Sequence, residues 1–351
     1  MADFSEYGVP SHEWTVLEST LPPFSKDLSL EDLKAGTNRG REDVAQRELV
    51  SLASQVTIRD YSISARDGYA LEARSYRAVS APPDKPLPIY IHFHGGGFCF
   101  GTLSSEDAIC SRLAINTNVV VLNVNYRHTP EYSYPTAWND SEDALDWAHG
   151  NADMLNGERE RIVIGGISAG GWLSASLSLS NLRREAKSRA RIVGQVLMIP
   201  ALVYHECYES QLKRLKDPSL SSYKQNEFAA ILPLERIKQF NELLKVKHAD
   251  PEDRRLNPGN ATPEEVRHLP PTTFGIAGSD PLRDEALFYA KLLADNGVPT
   301  RVNMFKGVPH GFRRFSDQLS VTKDWDRVIE EGILWALSNP VSFNTFDIQA
   351  Y

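Results

Sequence analysis

Ser168 sits in the stretch VIGGISAGGW (163–172), crowded by glycines directly after an apolar run. Gly166-Ile167-Ser168-Ala169-Gly170 fits the pattern Gly-x-Ser-x-Gly, in which a strained turn between strand and helix lifts the serine hydroxyl clear of a sheet. A serine hydroxyl is a weak nucleophile until a base takes its proton and a third group orients that base. On a turn of this kind the partners follow in the chain as acid, then histidine, each in a loop at the carboxyl end of a later strand. Of nine histidines, only His310, in KGVPHGF (306–312), follows the last predicted strand. The loop GSDPLRDE (278–285) offers Asp280 directly after a strand and Asp284 one helical turn later. Asp284 reads as an N-terminal charge on the helix opened by Pro281, which leaves Asp280 as the orienting acid.

Attack on an ester carbonyl develops negative charge on oxygen, which preorganised backbone N–H groups must meet. IHFHGGGF (91–98) supplies such a loop at a strand end: the three glycines, Gly95, Gly96 and Gly97, let the backbone turn its N–H groups toward the substrate without side chains in the way. A third donor is the N–H of Ala169, at the start of the helix after Ser168, where the helix dipole adds to it. His92 and His94 share one face of a strand at a spacing compatible with metal ligation. No Cys, Asp or Glu accompanies them locally, so His94 is read as a support for the glycine loop, and neither a metal nor a cofactor is expected. The glycine string is no phosphate loop either, since no Gly-Lys-Ser/Thr follows it.

These residues need strands to end where they stand. VTIRDYSISARDGYALEARSYR (56–77) alternates apolar and polar residues around Asp67-Gly68, a hairpin signal. Six apolar runs follow, at 87–93, 119–125, 161–166, 191–199, 272–278 and 300–305, with helices expected near 105–116, 136–149, 169–185, 283–296 and 320–338. The alternation predicts an α/β fold, a mostly parallel eight-stranded sheet covered by helices on both faces. Residues 1–50 carry a helix-like stretch expected to break at Gly36 and Gly40, and 204–268 insert a polar helical stretch between two strands. The two are expected to fold together as a lid, dividing the chain into 1–50, 51–203, 204–268 and 269–351.

The chain is 41% hydrophobic and 24% charged, with a net charge of -8. Such a charge argues against a nucleic-acid partner, for no basic stripe is there to neutralise phosphates. Cys99, Cys110 and Cys207 are too few and too scattered for a disulfide framework. The N-terminus lacks the pattern of a secretory signal, and the apolar stretch at 192–203 is too short to span a bilayer and contains Pro200. A soluble, cytoplasmic protein without a membrane partner is expected.

Taken together, HGGGF, YRHTPE, GISAGG, SDPLRDE and PHGF resemble the hormone-sensitive-lipase-like branch of the α/β-hydrolases over roughly residues 56–338. The resemblance implies Ser168 as nucleophile, Asp280 as orienting acid and His310 as general base, with Gly96, Gly97 and Ala169 lining the oxyanion hole and Gly95 forming the turn. It also implies a helical cap built from 1–50 and 204–268, structural support from Tyr126, Arg127 and Glu131, and a possible homodimer through the last strand, TRVNMF. Many members carry Asp immediately before the nucleophile, where this chain has Ile167. YPTAWNDSEDALDW is similar to fungal members, some of which tailor secondary metabolites. The implied activity is a serine carboxylesterase acting on a small or medium ester. The alternatives on the same fold are a cyclase, acyltransferase or lyase, and a hormone-receptor-like binding protein.

Overall fold

The computed structural model describes residues 1–21, 29–185 and 189–351; the stretch 22–28 of the N-terminal segment lies outside them. Its strands are β1 (Val56–Ser64), β2 (Ala70–Ala78), β3 (Leu87–Phe93), β4 (Val120–Val124), β5 (Gly157–Ile167), β6 (Ile192–Met198), β7 (Thr272–Ser279), β8 (Thr300–Pro309) and β9 (Ile348–Ala350). They form one nine-stranded sheet in the order β1-β2-β4-β3-β5-β6-β7-β8-β9. β2 runs antiparallel to both β1 and β4, and every other pair is parallel. The β1–β2 hairpin turns at Gly68, whose φ of 85° suits glycine. β3 and β7 are buried at every position, the expected price-free consequence of apolar runs covered on both faces.

The helices are α1 (His12–Glu18), α2 (Leu30–Leu49), α3 (Asp107–Thr117), α4 (Thr136–Gly150), α5 (Ala169–Leu182), α6 (Glu209–Leu212), α7 (Ser222–Gln225), α8 (Leu234–Leu243), α9 (Pro263–Val266), α10 (Arg283–Asp295) and α11 (Thr322–Leu337). α3 and α11 pack together on one face of the sheet, and α4, α5 and α10 cover the other. α5 is buried along nearly its whole length, and its buried Ser174, Ser176, Ser178 and Asn181 each find a hydrogen-bond acceptor inside the protein.

Two expectations change. First, a ninth strand pairs with β8 through Val302 and Ile348, and Tyr351 N–H donates to the Met304 carbonyl at 2.9 Å. The edge at TRVNMF is thus paired within the chain. A three-residue strand in a polar stretch carries too little alternation to be read from sequence. Second, α2 runs unbroken through Gly36 and Gly40. Glycine costs only about 1 kcal/mol against alanine in a helix, and Lys34 and Arg41 on either side of these positions are tied to the core.

Residues 1–21 cross the carboxyl ends of β7 and β8. Ser11 N–H donates to the Gly307 carbonyl at 2.9 Å, and a Cβ at Gly278 or Gly307 would strike the backbone of Tyr7 or Val9. Ala2 then exchanges backbone hydrogen bonds with Arg214 and Lys216, at 3.0 and 2.8 Å, so the chain's first residues meet the 204–268 segment.

Candidate active site

Ser168 closes the turn between β5 and α5 with φ 56° and ψ −114°. A side chain in this region is strained, and the strain persists because the surroundings leave no alternative. Ser168 N–H donates to the Met198 carbonyl at 2.8 Å, and a Cβ on Gly166 or Gly170 would collide with the Phe93 carbonyl. Small residues on both sides therefore let α5 start hard against β3.

β8 extends past its predicted end to Pro309 and delivers His310 beside this turn. Ser168 Oγ–H donates to His310 Nε2 at 2.9 Å, and His310 Nδ1–H donates to Asp280 Oδ2 at 2.7 Å. A carboxylate can only accept, which fixes the tautomer with the proton on Nδ1. The other Asp280 oxygen accepts the Leu282 N–H at 2.9 Å, so the carboxylate is held at both ends. Asp284, the other acid of this loop, is turned away: it accepts the Ser222 N–H at 2.6 Å, pairs with Arg283 at 2.8 Å and so holds α7.

Gly95, Gly96 and Gly97 lie opposite, the latter two at φ 134° and 61°. Among the described residues the Gly96 and Gly97 N–H groups find no acceptor. The Gly95 carbonyl, by contrast, accepts twice, from His94 Nδ1–H at 3.0 Å and from Arg41 Nη1 at 2.9 Å. That carbonyl and the Gly96 N–H share one planar peptide and point in opposite directions. Two donors on the oxygen therefore aim the Gly96 N–H the other way. Arg41 comes from α2 and also pairs with buried Glu106 at 2.7 Å, whose second oxygen accepts His92 Nε2–H at 3.1 Å. Burial opposes ionisation of Glu106, yet Arg41 and His92 together hold its pKa well below the usual carboxylate range.

His94 stacks on Tyr126 at 4.4 Å and sits 3.3 Å, nitrogen to nitrogen, from His128. With Nδ1–H donating to Gly95, His94 Nε2 accepts from His128 Nε2–H. Both ring nitrogens of His94 and the Nε2 of His92 are thus engaged within the protein. Tyr126 OH donates to the His94 carbonyl at 2.8 Å. Arg127 clasps buried Asp140, with Nη2 at 2.6 Å, and reaches Asp67 at 2.7 Å. Glu131 pairs with Lys34 of α2 at 2.8 Å. The segment 126–131 therefore braces the glycine loop from below and ties it to α2.

Burial, with repulsion from Arg41, lowers the pKa of His94 to about 4, and burial and His94 push His128 well below its ordinary value. Between about pH 6.5 and 4 the unfolded chain takes up a proton that the folded chain refuses at His94, so stability is full above this window and falls as the pH drops through it. His94 alone removes about 2 kcal/mol by pH 5. Urea midpoints at pH 7.5 and pH 5 check this, and an unchanged midpoint would mean that the imidazole charges freely in the fold.

A cavity of about 710 Å³ opens over Ser168 and His310, lined by Gly95, Gly96 and Gly97 below and by both non-sheet segments above. α2 contributes Gly36, Gly40, Arg41 and Val44; the 204–268 segment contributes Ile231, Leu232, Ile237 and Phe240. The Phe240 ring lies so close over Gly97 that a Cβ there would collide with it. Sequence reading missed Arg41, Glu106 and His128. Arg41 and Glu106 stand 65 residues apart, and no local spacing links them. Among the described residues no helix is long and apolar enough to cross a membrane, and Cys99, Cys110 and Cys207 are buried and unpaired.

A family model of the α/β-hydrolase fold matches residues 90–314. The versiconal hemiacetal acetate esterase of Dothistroma septosporum is 30% identical over 257 residues, 72% of this chain and 74% of that one. Among solved structures, vibralactone cyclase superposes with a TM-score of 0.83 at 27% identity, covering 95% of this chain and 97% of that one. The hyperthermophilic esterase of the archaeon Pyrobaculum calidifontis superposes with a TM-score of 0.77, also at 27% identity, covering 95% and 100%. With the match spanning most of the sheet and esterases among relatives in both sequence and structure, the chain belongs to the α/β-hydrolase family, in its hormone-sensitive-lipase-like branch of carboxylic ester hydrolases.

Proposed function

We propose that this protein is a serine carboxylesterase working through Ser168, His310 and Asp280. The observation that carries the reading is the unbroken hydrogen-bond chain from Asp280 through His310 to Ser168, ending in the cavity. Ser168 Oγ attacks the ester carbonyl while His310 Nε2 takes its proton, and Asp280 holds the imidazole and stabilises its cationic form. The oxyanion forms against the N–H groups of Gly96, Gly97 and Ala169. Collapse breaks the bond to the alcohol, which leaves with the proton from His310, and an acyl-serine remains. Water then repeats the sequence, releasing the acid and restoring the Ser168 hydroxyl.

The cavity volume and its apolar walls suit a compact ester with a short or medium acyl group. A small tailoring substrate of secondary metabolism fits the same space, and the likeness to an acetate esterase supports that choice. The likeness to vibralactone cyclase favours one second reading: the acyl-serine is captured by a hydroxyl of the acyl group itself instead of water, giving a lactone. Incubation with p-nitrophenyl acetate and butyrate, and with an organophosphate, tests the first reading. Turnover and a phosphorylated Ser168 peptide are expected. A folded protein that neither turns over nor labels would overturn it, and release of p-nitrophenol from a hydroxyacyl ester with a lactone as the sole product would favour the second.

A further inference from the structure

The charged groups lining the cavity are matched, with one exception. Arg41 pairs with Glu106 at 2.7 Å; Arg112 pairs with Glu48 at 2.8 Å, and Arg313 with Asp326 at 2.8 Å. Arg236 donates to Gln239 at 2.8 Å. Arg314 also lines the cavity, four residues after His310, and no carboxylate of the described residues lies within ion-pair distance of it. Its Nε–H donates to the Gly311 carbonyl at 3.3 Å, which docks the guanidinium on the loop that carries His310, and among the described residues neither terminal NH₂ group has an acceptor. Arg314 is an exposed side chain at the edge of the cavity, with enough protein around it that desolvation first, then repulsion from Arg41, lowers its pKa to about 10. A guanidinium with its fork unpaired at the edge of a largely apolar cavity fits the two oxygens of a carboxylate.

We propose that Arg314 is an anion-recognising subsite of this cavity and that the physiological substrate is an ester carrying a free carboxylate. The inference rests on the esterase reading for where the ester lies. The carboxylate belongs to the acyl part, as in a monoester of a dicarboxylic acid, or to the alcohol part, as in an acylated hydroxy acid. Both present the same group to Arg314, docked beside His310. One arm of the test compares p-nitrophenyl hydrogen glutarate with p-nitrophenyl pentanoate, and the other compares 3-butyryloxybenzoate with phenyl butyrate.

The readout is the ratio of kcat/KM within each pair, in which any general loss of active protein cancels. A ratio at least tenfold in favour of the acid is expected in one arm, carried by KM, shrinking with added salt. Arg314→Gln should bring that ratio to about one, and Arg314→Glu should reverse it. Ratios near one in both arms of the wild type, or an acid preference that survives Arg314→Gln, would overturn the proposal. Calorimetric binding of monobutyl glutarate against butyl pentanoate to Ser168→Ala needs no turnover. There, tighter binding of the acid that disappears on adding Arg314→Gln supports the subsite even if no ester is hydrolysed, and equal binding of the two overturns it.

Discussion

Ser168→Ala and His310→Ala each remove turnover of p-nitrophenyl butyrate, lowering kcat by roughly five to six orders of magnitude. In the proposed mechanism the two side chains act as one unit, the first supplying the oxygen that attacks and the second the base that stands 2.9 Å from it to take its proton. Removing either leaves the oxyanion donors and the cavity, which still bind ester and retain a residual rate over water of about 10³–10⁴. The double variant is therefore no slower than either single one. Asp280→Asn falls less far, by about 10⁴, because the imidazole stays in place but loses its tautomer and the partner of its cationic form. Thermal melts of the variants separate chemistry from folding, and KM should move little. A Ser168→Ala protein that is folded and keeps more than about one part in a hundred of the wild-type kcat would sink the mechanism, since among the described residues no other hydroxyl or thiol is hydrogen-bonded to His310.

Much of this site was legible because each part is announced locally. The nucleophile turn is written in five consecutive residues, 166–170, and its glycines are forced by the approach of Phe93 to α5. His310 and Asp280 were found by their places after strands, and β7 and β8 stand out as apolar runs because both faces of the sheet are covered. The departure at Ile167 also has a physical reading: its carbonyl and side chain lie against Gly95, within 3.4 Å of where a Cβ would stand, so the position packs on the glycine loop. What sequence could not supply was long-range pairing. Nothing local in TNRGRED tells that Arg41 reaches Glu106, and nothing local in SDPLRDE or GFRRF tells Arg283, paired and buried, from Arg314, left open at the cavity. Gly36 and Gly40 were misread as breaks because glycine lowers helix propensity by an amount that tertiary anchoring of α2 overrides.

Arg41→Ala should lower kcat by about 10- to 100-fold while leaving KM within a few-fold, less than the roughly 10²–10³ lost with an oxyanion donor itself. Arg41 is a positioning residue: it holds the Gly95 carbonyl at 2.9 Å, and through that peptide it turns the Gly96 N–H toward the developing charge. His94 still holds the same carbonyl at 3.0 Å, which is why the loss is partial. A purely structural role would show as lost stability and a smaller active fraction, with the remaining enzyme unchanged. The discriminating readout is affinity for a trifluoromethyl ketone, whose serine adduct carries the oxyanion: it should weaken in proportion to kcat/KM across Arg41→Ala, Arg41→Lys and the wild type. Removing Arg41 also strands the buried carboxylate of Glu106 beside His92, a destabilising change in its own right. Glu106→Gln in combination with Arg41→Ala relieves that charge and should recover stability without recovering kcat. Were the double variant to regain both, the effect of Arg41 would be electrostatic relief of Glu106 alone, and α2 would have no part in shaping the oxyanion site.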